Sequence, residues 1–205
     1  DAEARETEVR ARAAADAARP FDLAAGPLFR AALLRLGEND HALLVTLHHI
    51  ASDGWSLGVL VREVAALYPA FAQGRPSPLP EPAIQYADFA SWQREHLTGP
   101  VLTAQLDWWK QQLTPLPEPL RLPTDRQRPP VQTSRGRRVP FLLAPELATR
   151  LEALAWREGA TLFMVLQAAL DVLLYRHGAG TDITVGTPIA NRTRAELEPL
   201  IGLFI

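Results

Sequence analysis

The sequence predicts an α/β fold, and three observations predict it. Two apolar runs, PLFRAALLRLG at 27–37 and HALLVTLHH at 41–49, are joined by the turn signal GEND. Apolar residues then recur at three and four through Leu57, Leu60, Val61, Val64, Tyr68 and Phe71, the stripe of an amphipathic helix. Strand-like and helix-like segments alternate through most of the remaining chain.

The elements follow in order. Residues 3–18, rich in Ala, Glu and Arg, predict a helix that ends at Pro20. The runs 27–37 and 41–49 predict a mostly buried hairpin, although Ala and Leu dominate the first and leave helix open there. The helix that begins near Leu57 closes at Gly74. RPSPLPEP at 75–82 is an extended proline-rich connector. IQYADFASWQREHL and VLTAQLDWWKQQL predict two further helices. TPLPEPLRLPTDRQRPP at 114–130 is too long for a tight turn and predicts a surface connector between two parts of the structure. GRRVPFLL at 136–143 reads as a strand. PELATRLEALAWREG reads as a helix, with Pro145 in its first turn and Gly159 just past its end. Thr161 is placed to cap LFMVLQAALDVLLYRHG, which is apolar nearly all round and therefore predicted to be deeply buried. TDITVGTPIAN reads as a strand leading into a loop. There is no internal repeat.

Composition narrows the function classes. The chain has 205 residues, 47% of them hydrophobic, with a formal net charge of −2. Acidic and basic residues are mixed along it, which is not the footprint of a nucleic-acid binder. No apolar run approaches the length of a membrane span, and no signal peptide is evident, so the cytoplasm is the default expectation. There are no cysteines, which excludes a disulfide framework, a thiolate zinc site and a cysteine nucleophile within these residues. The chain opens on Asp1 and ends in the apolar LIGLFI, so a segment of a longer protein is expected.

The stretch LVTLHHIASDGWSLG, residues 44–58, concentrates the chemistry. If 41–49 is extended, Leu43, Val45, Leu47 and His49 share one face and Ala42, Leu44, Thr46 and His48 the other. His48 then bonds locally, whereas His49 stands at the strand end, where a cleft can reach it. A neutral histidine, with a reference pKa of about 6.5, can take a proton from a nucleophile attacking a carbonyl carbon. Asp53 can orient a neighbour, cap the following helix or pair with an arginine. Gly54 allows a positive φ or a close backbone approach, and amides near it, at a helix start, are candidate oxyanion donors. Each residue also has a plainer role: a His-His pair can be structural, and Ser56 reads as a helix-capping serine, since no G-x-S-x-G elbow surrounds it. A metal centre needs three convergent ligands, and the opposed faces of the two histidines argue against one. The residues alone therefore leave an acyl-transfer site and a structural cluster both open.

The flanks of HHxxxDG add a resemblance. HHIASDGWSLGVL and its approach PFDLAAGPLFRAALLRLGENDHALL resemble the active-site region of the condensation domains of nonribosomal peptide synthetases. IQYADFASWQREHL, LDWWKQQL, LPTDRQRPP and GATLFMVLQAALDVLLYRHGAGTDITVGTPIANRTRAELEPLIGLF are similar to later segments of that family, in order. The resemblance implies a chloramphenicol-acetyltransferase-like fold of two related lobes. Residues 1–113 would be the end of the first lobe, 114–130 the inter-lobe connector and 131–205 the beginning of the second. The family's earlier arginine- and histidine-bearing motif would precede Asp1, and most of the second lobe would follow Ile205.

The resemblance also implies a reaction. A donor and an acceptor carrier protein would each present a substrate as a phosphopantetheine thioester, so this chain itself would bind no cofactor and no metal. A neighbouring adenylation domain would belong to the same synthetase. The acceptor amine would attack the donor thioester and form a peptide bond. His49 would position that amine or take its proton, with His48, Asp53 and Gly54 supporting the site. Asp53 would be held by an arginine, for which Arg192 in ANRTR is the candidate, with an ordinary surface arginine as the alternative. Tyr86, Asp88 and Trp92 would serve packing. The first histidine is kept where cyclisation domains carry aspartate, and DGWS-LGVL differs from epimerisation domains, so the resemblance favours the subtype joining an L-donor to an L-acceptor. Two rival readings stand beside it: an acyl-CoA-dependent acyltransferase of the same fold, and a non-catalytic carrier-docking module.

Overall fold

The computed structural model describes residues 2–205 except 117, 118, 121, 128, 132, 134, 135 and 138. Parts of the connector expected at 114–130 and of the strand expected at 136–143 lie outside the described residues. The chain divides into two compact units, one of residues 1–105 with 188–205, the other of 106–187.

The first unit begins with α1 (Ala2–Ala18), whose exposed flank carries Glu6–Arg10 and Glu8–Arg12 pairs one turn apart. β1 (Phe29–Arg35) and β2 (His41–Leu47) then form the expected antiparallel hairpin, with Phe29 opposite Leu47 and Arg35 opposite His41. The turn closes where Leu36 and Gly37 N–H both donate to the Asp40 carbonyl, at 2.9 and 3.0 Å. The face of β2 bearing Ala42, Leu44 and Thr46 is the shielded one, and α1 packs on this strand. Leu33 and Leu43 stay exposed, so the hairpin is covered less fully than expected.

α2 (Gly54–Ala72) starts three residues before the Leu57 expected from its apolar stripe, because Asp53 caps it. Gly74 follows its end at φ 66°, the left-handed conformation that lets a chain turn away from a helix. α3 (Tyr86–His96) packs against the 188–205 segment. Phe89, Leu197, Leu200 and Phe204 form a buried cluster there, with Ile84 and Tyr86 beside it. The Phe89 and Phe204 rings lie 4.7 Å apart between centroids, and Tyr86 meets Phe204 edge-on at 5.3 Å. Burial of each such side chain stabilises by roughly 1.5–3 kcal/mol, so this cluster fixes the last residues beneath α2. α4 (Gly99–Gln112) spans the boundary at residue 105.

The second unit contains α5 (Pro145–Arg157) and α6 (Leu162–Arg176), which pack on each other with axes bent by 105°. Pro145 stands in the first turn, Gly159 lies past the end at φ 61°, and Thr161 Oγ1 accepts the Met164 N–H at 3.2 Å, all as the sequence predicts. The deep burial expected of α6 is not found: Phe163, Met164, Val172 and Tyr175 are each more than half exposed. An all-round apolar helix needs neighbours on every side, and among the described residues α5 alone contacts it extensively. The two strands expected at 136–143 and 181–191 are likewise not formed in their described residues. An alternating pattern makes a strand only when a neighbour accepts its backbone hydrogen bonds. Phe141 and Leu142 are 81% and 99% exposed, and among the described residues no strand pairs with that segment. Among the described residues no single helix is long and apolar enough to cross a membrane.

Candidate active site

The site is built where β2 ends. The hairpin ladder extends one step past the strands, because His48 N–H donates to the Leu28 carbonyl at 3.0 Å. His48 is still extended, at φ −72° and ψ 139°. A single 3-10 turn, His49–Ala51, follows and reverses the chain. His48 caps that turn, its Nδ1 accepting the Ile50 N–H at 3.0 Å. A ring that accepts at Nδ1 carries its proton on Nε2 when neutral. His48 therefore bonds locally, as the strand alternation predicts, and its ring also meets Phe21 edge-on at 5.8 Å.

His49 is exposed and borders an open cavity of about 670 Å³. α1 contributes Ala13, Asp16 and Ala17 to its wall, β2 contributes residues 43–47, and Asp53 and Gly54 close one end. Consecutive residues of β2 line it, and among the described residues that strand pairs with β1 alone. Asp16 is a carboxylate the sequence reading missed. Thr46 hydroxyl donates to its Oδ2 and Arg30 Nε to its Oδ1, the latter at 3.3 Å. The Thr46 bond, opposed by burial and aided by Arg30 and Arg19, holds its carboxyl below the ordinary aspartate value.

Directly after the turn the chain is locked in place. Asp53 caps α2 and is fully buried, and its side chain uses both oxygens. Oδ1 accepts the Ser56 N–H at 2.8 Å, the Ser56 hydroxyl at 2.7 Å and Arg192 Nη2 at 3.2 Å. Oδ2 accepts the Phe204 N–H at 3.1 Å. Burial pushes this carboxyl up, but the Ser56, Phe204 and Arg192 donors outweigh it, and the net shift is downward. Of the three roles open to Asp53 in the sequence, it fills two at once.

Arg192 is also buried, with 1% of its side chain exposed. Its Nη1 donates to the carbonyls of Leu197 and Leu200, the latter at 2.9 Å. Its Nη2 donates to Ser56 Oγ at 3.0 Å as well as to Asp53. The guanidinium carbon lies 4.0 Å from the centre of the Phe204 ring, and Nε is buried without a hydrogen-bond partner among the described residues. Asn191 aims the arginine inward from a left-handed backbone, φ 50°, and anchors it by donating from Nδ2 to the Phe204 carbonyl at 3.0 Å. The surface-arginine alternative therefore does not describe Arg192.

Ser56 corrects the capping expectation. It sits in the first turn of α2 but is 1% exposed, and Asp53 is the cap. Its hydroxyl joins the two chain segments: it accepts from Gly202 N–H at 3.0 Å and from Arg192, and donates toward Asp53 or the Gly202 carbonyl. One hydroxyl has one proton, and the shorter contact to the charged Asp53 claims it. Gly54 is corrected too. It does not adopt a positive φ, and a Cβ there would meet nothing within 4 Å. Its smallness leaves open the cavity it borders with His49. Among the described residues no group of three His, Asp or Glu side chains is placed to hold a metal ion.

The condensation-domain family model matches residues 1–205. This chain belongs to the condensation domain family. Among its relatives, one linear gramicidin synthase polypeptide of Brevibacillus parabrevis is 52% identical over 98% of the chain, which spans 4% of that protein. Phosphinothricin tripeptide synthetase PhsC of Streptomyces viridochromogenes is 47% identical over 93% of the chain and 18% of that protein. The crystal structure of the X-domain from teicoplanin biosynthesis is similar at a TM-score of 0.85 and 34% identity, covering 97% of this chain and 45% of that one. The first condensation domain of the CDA synthetase matches in fold at a TM-score of 0.75, over 98% of this chain and 44% of that one. The fold is thus the α/β, chloramphenicol-acetyltransferase-like fold, and this condensation-domain segment covers somewhat less than half of it.

Within the condensation-domain segment, the residues expected to serve packing divide. Tyr86 does pack, and its hydroxyl donates to the Leu203 carbonyl at 2.8 Å. Asp88 instead caps α3, its Oδ2 accepting the Gln85 N–H at 2.7 Å. Trp92 is 43% exposed and stacks on His96 at 4.9 Å.

Proposed function

We propose that this condensation-domain segment carries the acyl-transfer site for peptide-bond formation in nonribosomal peptide synthesis. The observation that carries the reading is the exposure of His49 to an open cavity on a turn whose base is fixed by the buried Asp53–Arg192 pair. Donor and acceptor carrier domains would present their substrates as phosphopantetheine thioesters, with an adenylation domain in the same synthetase supplying the amino acids. The acceptor nitrogen attacks the donor thioester carbon. A C–N bond forms, the C–S bond breaks, the nitrogen gives up one proton and the departing sulfur takes one.

His49 positions the acceptor amine by accepting its N–H and can take that proton as the C–N bond forms. An α-amine has a reference pKa of about 8, so part of it is already free at neutral pH and positioning carries much of the effect. The Gly54 and Trp55 amides have no acceptor within the helix, as is usual in a first turn, and can stabilise the oxyanion. Asp53, Arg192 and Ser56 touch no reacting atom and serve by fixing the turn. His48, capping that turn, orients the residue that follows it. The kept first histidine supports the subtype joining an L-donor to an L-acceptor. The lobes would be those of 1–113 and 131–205, joined at 114–130.

The test loads both carriers in the module that carries this chain and follows dipeptidyl thioester on the acceptor carrier by mass spectrometry. Product on the acceptor carrier is expected, with none when the donor is supplied as a CoA thioester. Equal use of acyl-CoA would favour the acyltransferase rival. The other rival is the non-catalytic carrier-docking module. Carrier binding without product would favour it.

A further inference from the structure

We propose that Arg30 is a positioning residue for the histidine pair, acting through Phe21 and His48; the inference rests on the role given to His49 above. Arg30 bonds to Asp16, which borders the same cavity as His49, and its side chain is only 15% exposed. Its Nη2 donates to the carbonyls of Asp16 and Arg19, at 2.8 and 2.9 Å, and Nη1 to that of Pro20 at 3.4 Å. These are carbonyls at and after the end of α1, where the negative end of the dipole lies; that of Asp16 also accepts the Arg19 N–H at 3.2 Å. Nε completes the fork on the Asp16 carboxylate. One side chain of β1 thus fixes where α1 ends and where the next residues go.

The next residue of consequence is Phe21. The Arg30 guanidinium lies 3.7 Å from the centre of its ring, a stacked contact. The ring in turn meets the His48 imidazole at 5.8 Å with an interplanar angle of 85°. This chain of contacts follows from register. Arg30 is opposite Thr46, and His48 is two residues beyond Thr46 on the same face. Thr46 closes the arrangement by donating to the second oxygen of Asp16. The stack ends on a ring whose Nδ1 holds the Ile50 N–H, the bond that caps the turn beginning at His49. A ring free to rotate releases that bond and, with it, the orientation of His49. Lysine can supply the charge here but neither the planar stack nor the fork, so arginine is specified by geometry.

The test uses the module carrying this chain, with its imidazoles labelled with 15N. Arg30→Gln, Arg30→Lys and Phe21→Leu each shift the His48 ring resonances, whereas Arg62→Gln, an exposed change on α2, leaves them in place. The kcat for dipeptidyl transfer falls about 10- to 100-fold in the Arg30 variants, with KM for the carriers changed less than about twofold. In a His49→Ala background, Arg30→Gln produces no further fall. Unmoved His48 resonances in both Arg30 variants overturn the proposal, and so does an undiminished Arg30 effect in the His49→Ala background. Full activity in His49→Ala itself would instead remove the catalytic reading, and the His48 resonances would still decide whether Arg30 places the ring. If Phe21→Leu fails to fold, the two Arg30 variants carry the test.

Discussion

Replacing Arg192 with Ala should unlock the site from below. The change removes donors to the Leu197 and Leu200 carbonyls and to Ser56, and strips a fully buried Asp53 of its counter-ion. Two charges 3.2 Å apart attract by about 5 kcal/mol at an effective dielectric of 20. Removing one partner of such a buried pair typically costs about 3–5 kcal/mol, because the remaining charge is left uncompensated. Here Asp53 keeps the Ser56 and Phe204 donors, so the lower half of that range applies to the ion itself. The stranded carbonyls add to it. Urea unfolding of the parent domain should therefore show its midpoint lowered by roughly 1–2 M. Asp53→Ala should cost a similar amount, and the double variant should cost less than the sum by about 2 kcal/mol or more. An Arg192→Ala loss under about 1 kcal/mol, or strict additivity with Asp53→Ala, would refute the reasoning.

Three further outcomes are expected. Gly202→Ala places a Cβ 2.1 Å from Tyr86 Cδ2, so it should cost roughly 1–3 kcal/mol in thermal or urea unfolding, and a wild-type value would contradict the close packing. Gly54→Ala meets open space in the first turn of a helix, so stability should hold or rise by about 0.5–1 kcal/mol while transfer slows, read by melting temperature and product formation together. Asp53→Asn should lose stability relative to wild type by a constant amount at neutral pH. A carboxyl depressed below its ordinary 3.8 stabilises the fold above that value and loses the contribution as pH falls through its lower folded value, so the gap should narrow only below about pH 4. A gap that narrows between pH 7 and 5 would point to another group.

What was legible in the sequence was local. The hairpin could be read because its turn and its alternating strands are contiguous, and the Pro145, Gly159 and Thr161 signals because capping is settled within a turn of helix. The local bonding of His48 is legible for the same reason, but the extension expected through His49 is not: β2 stops at Leu47 and His49 opens a 3-10 turn, so strand alternation does not set where His49 faces. The 181–191 strand and the burial of α6 were misread because both depend on a second surface, which periodicity does not supply. The Asp53–Arg192 pair spans 139 residues and was reachable only through the family resemblance. Ser56 and Gly202 had no sequence signal beyond residue type, since their roles exist only where α2 meets the last residues of the chain. Asp16 and Arg30 were hidden in a charge pattern that fits any solvent-exposed helix and strand.

The central claim is that His49 acts in the transfer step, and one comparison addresses it most directly. Wild type and His49→Ala in the parent module, with both carriers loaded, are followed for dipeptidyl thioester by mass spectrometry, with folding checked by circular dichroism. A folded variant with transfer reduced by about a hundredfold or more is the predicted result. A folded variant that makes product at the wild-type rate would contradict the account and leave His49 a structural residue at the end of β2.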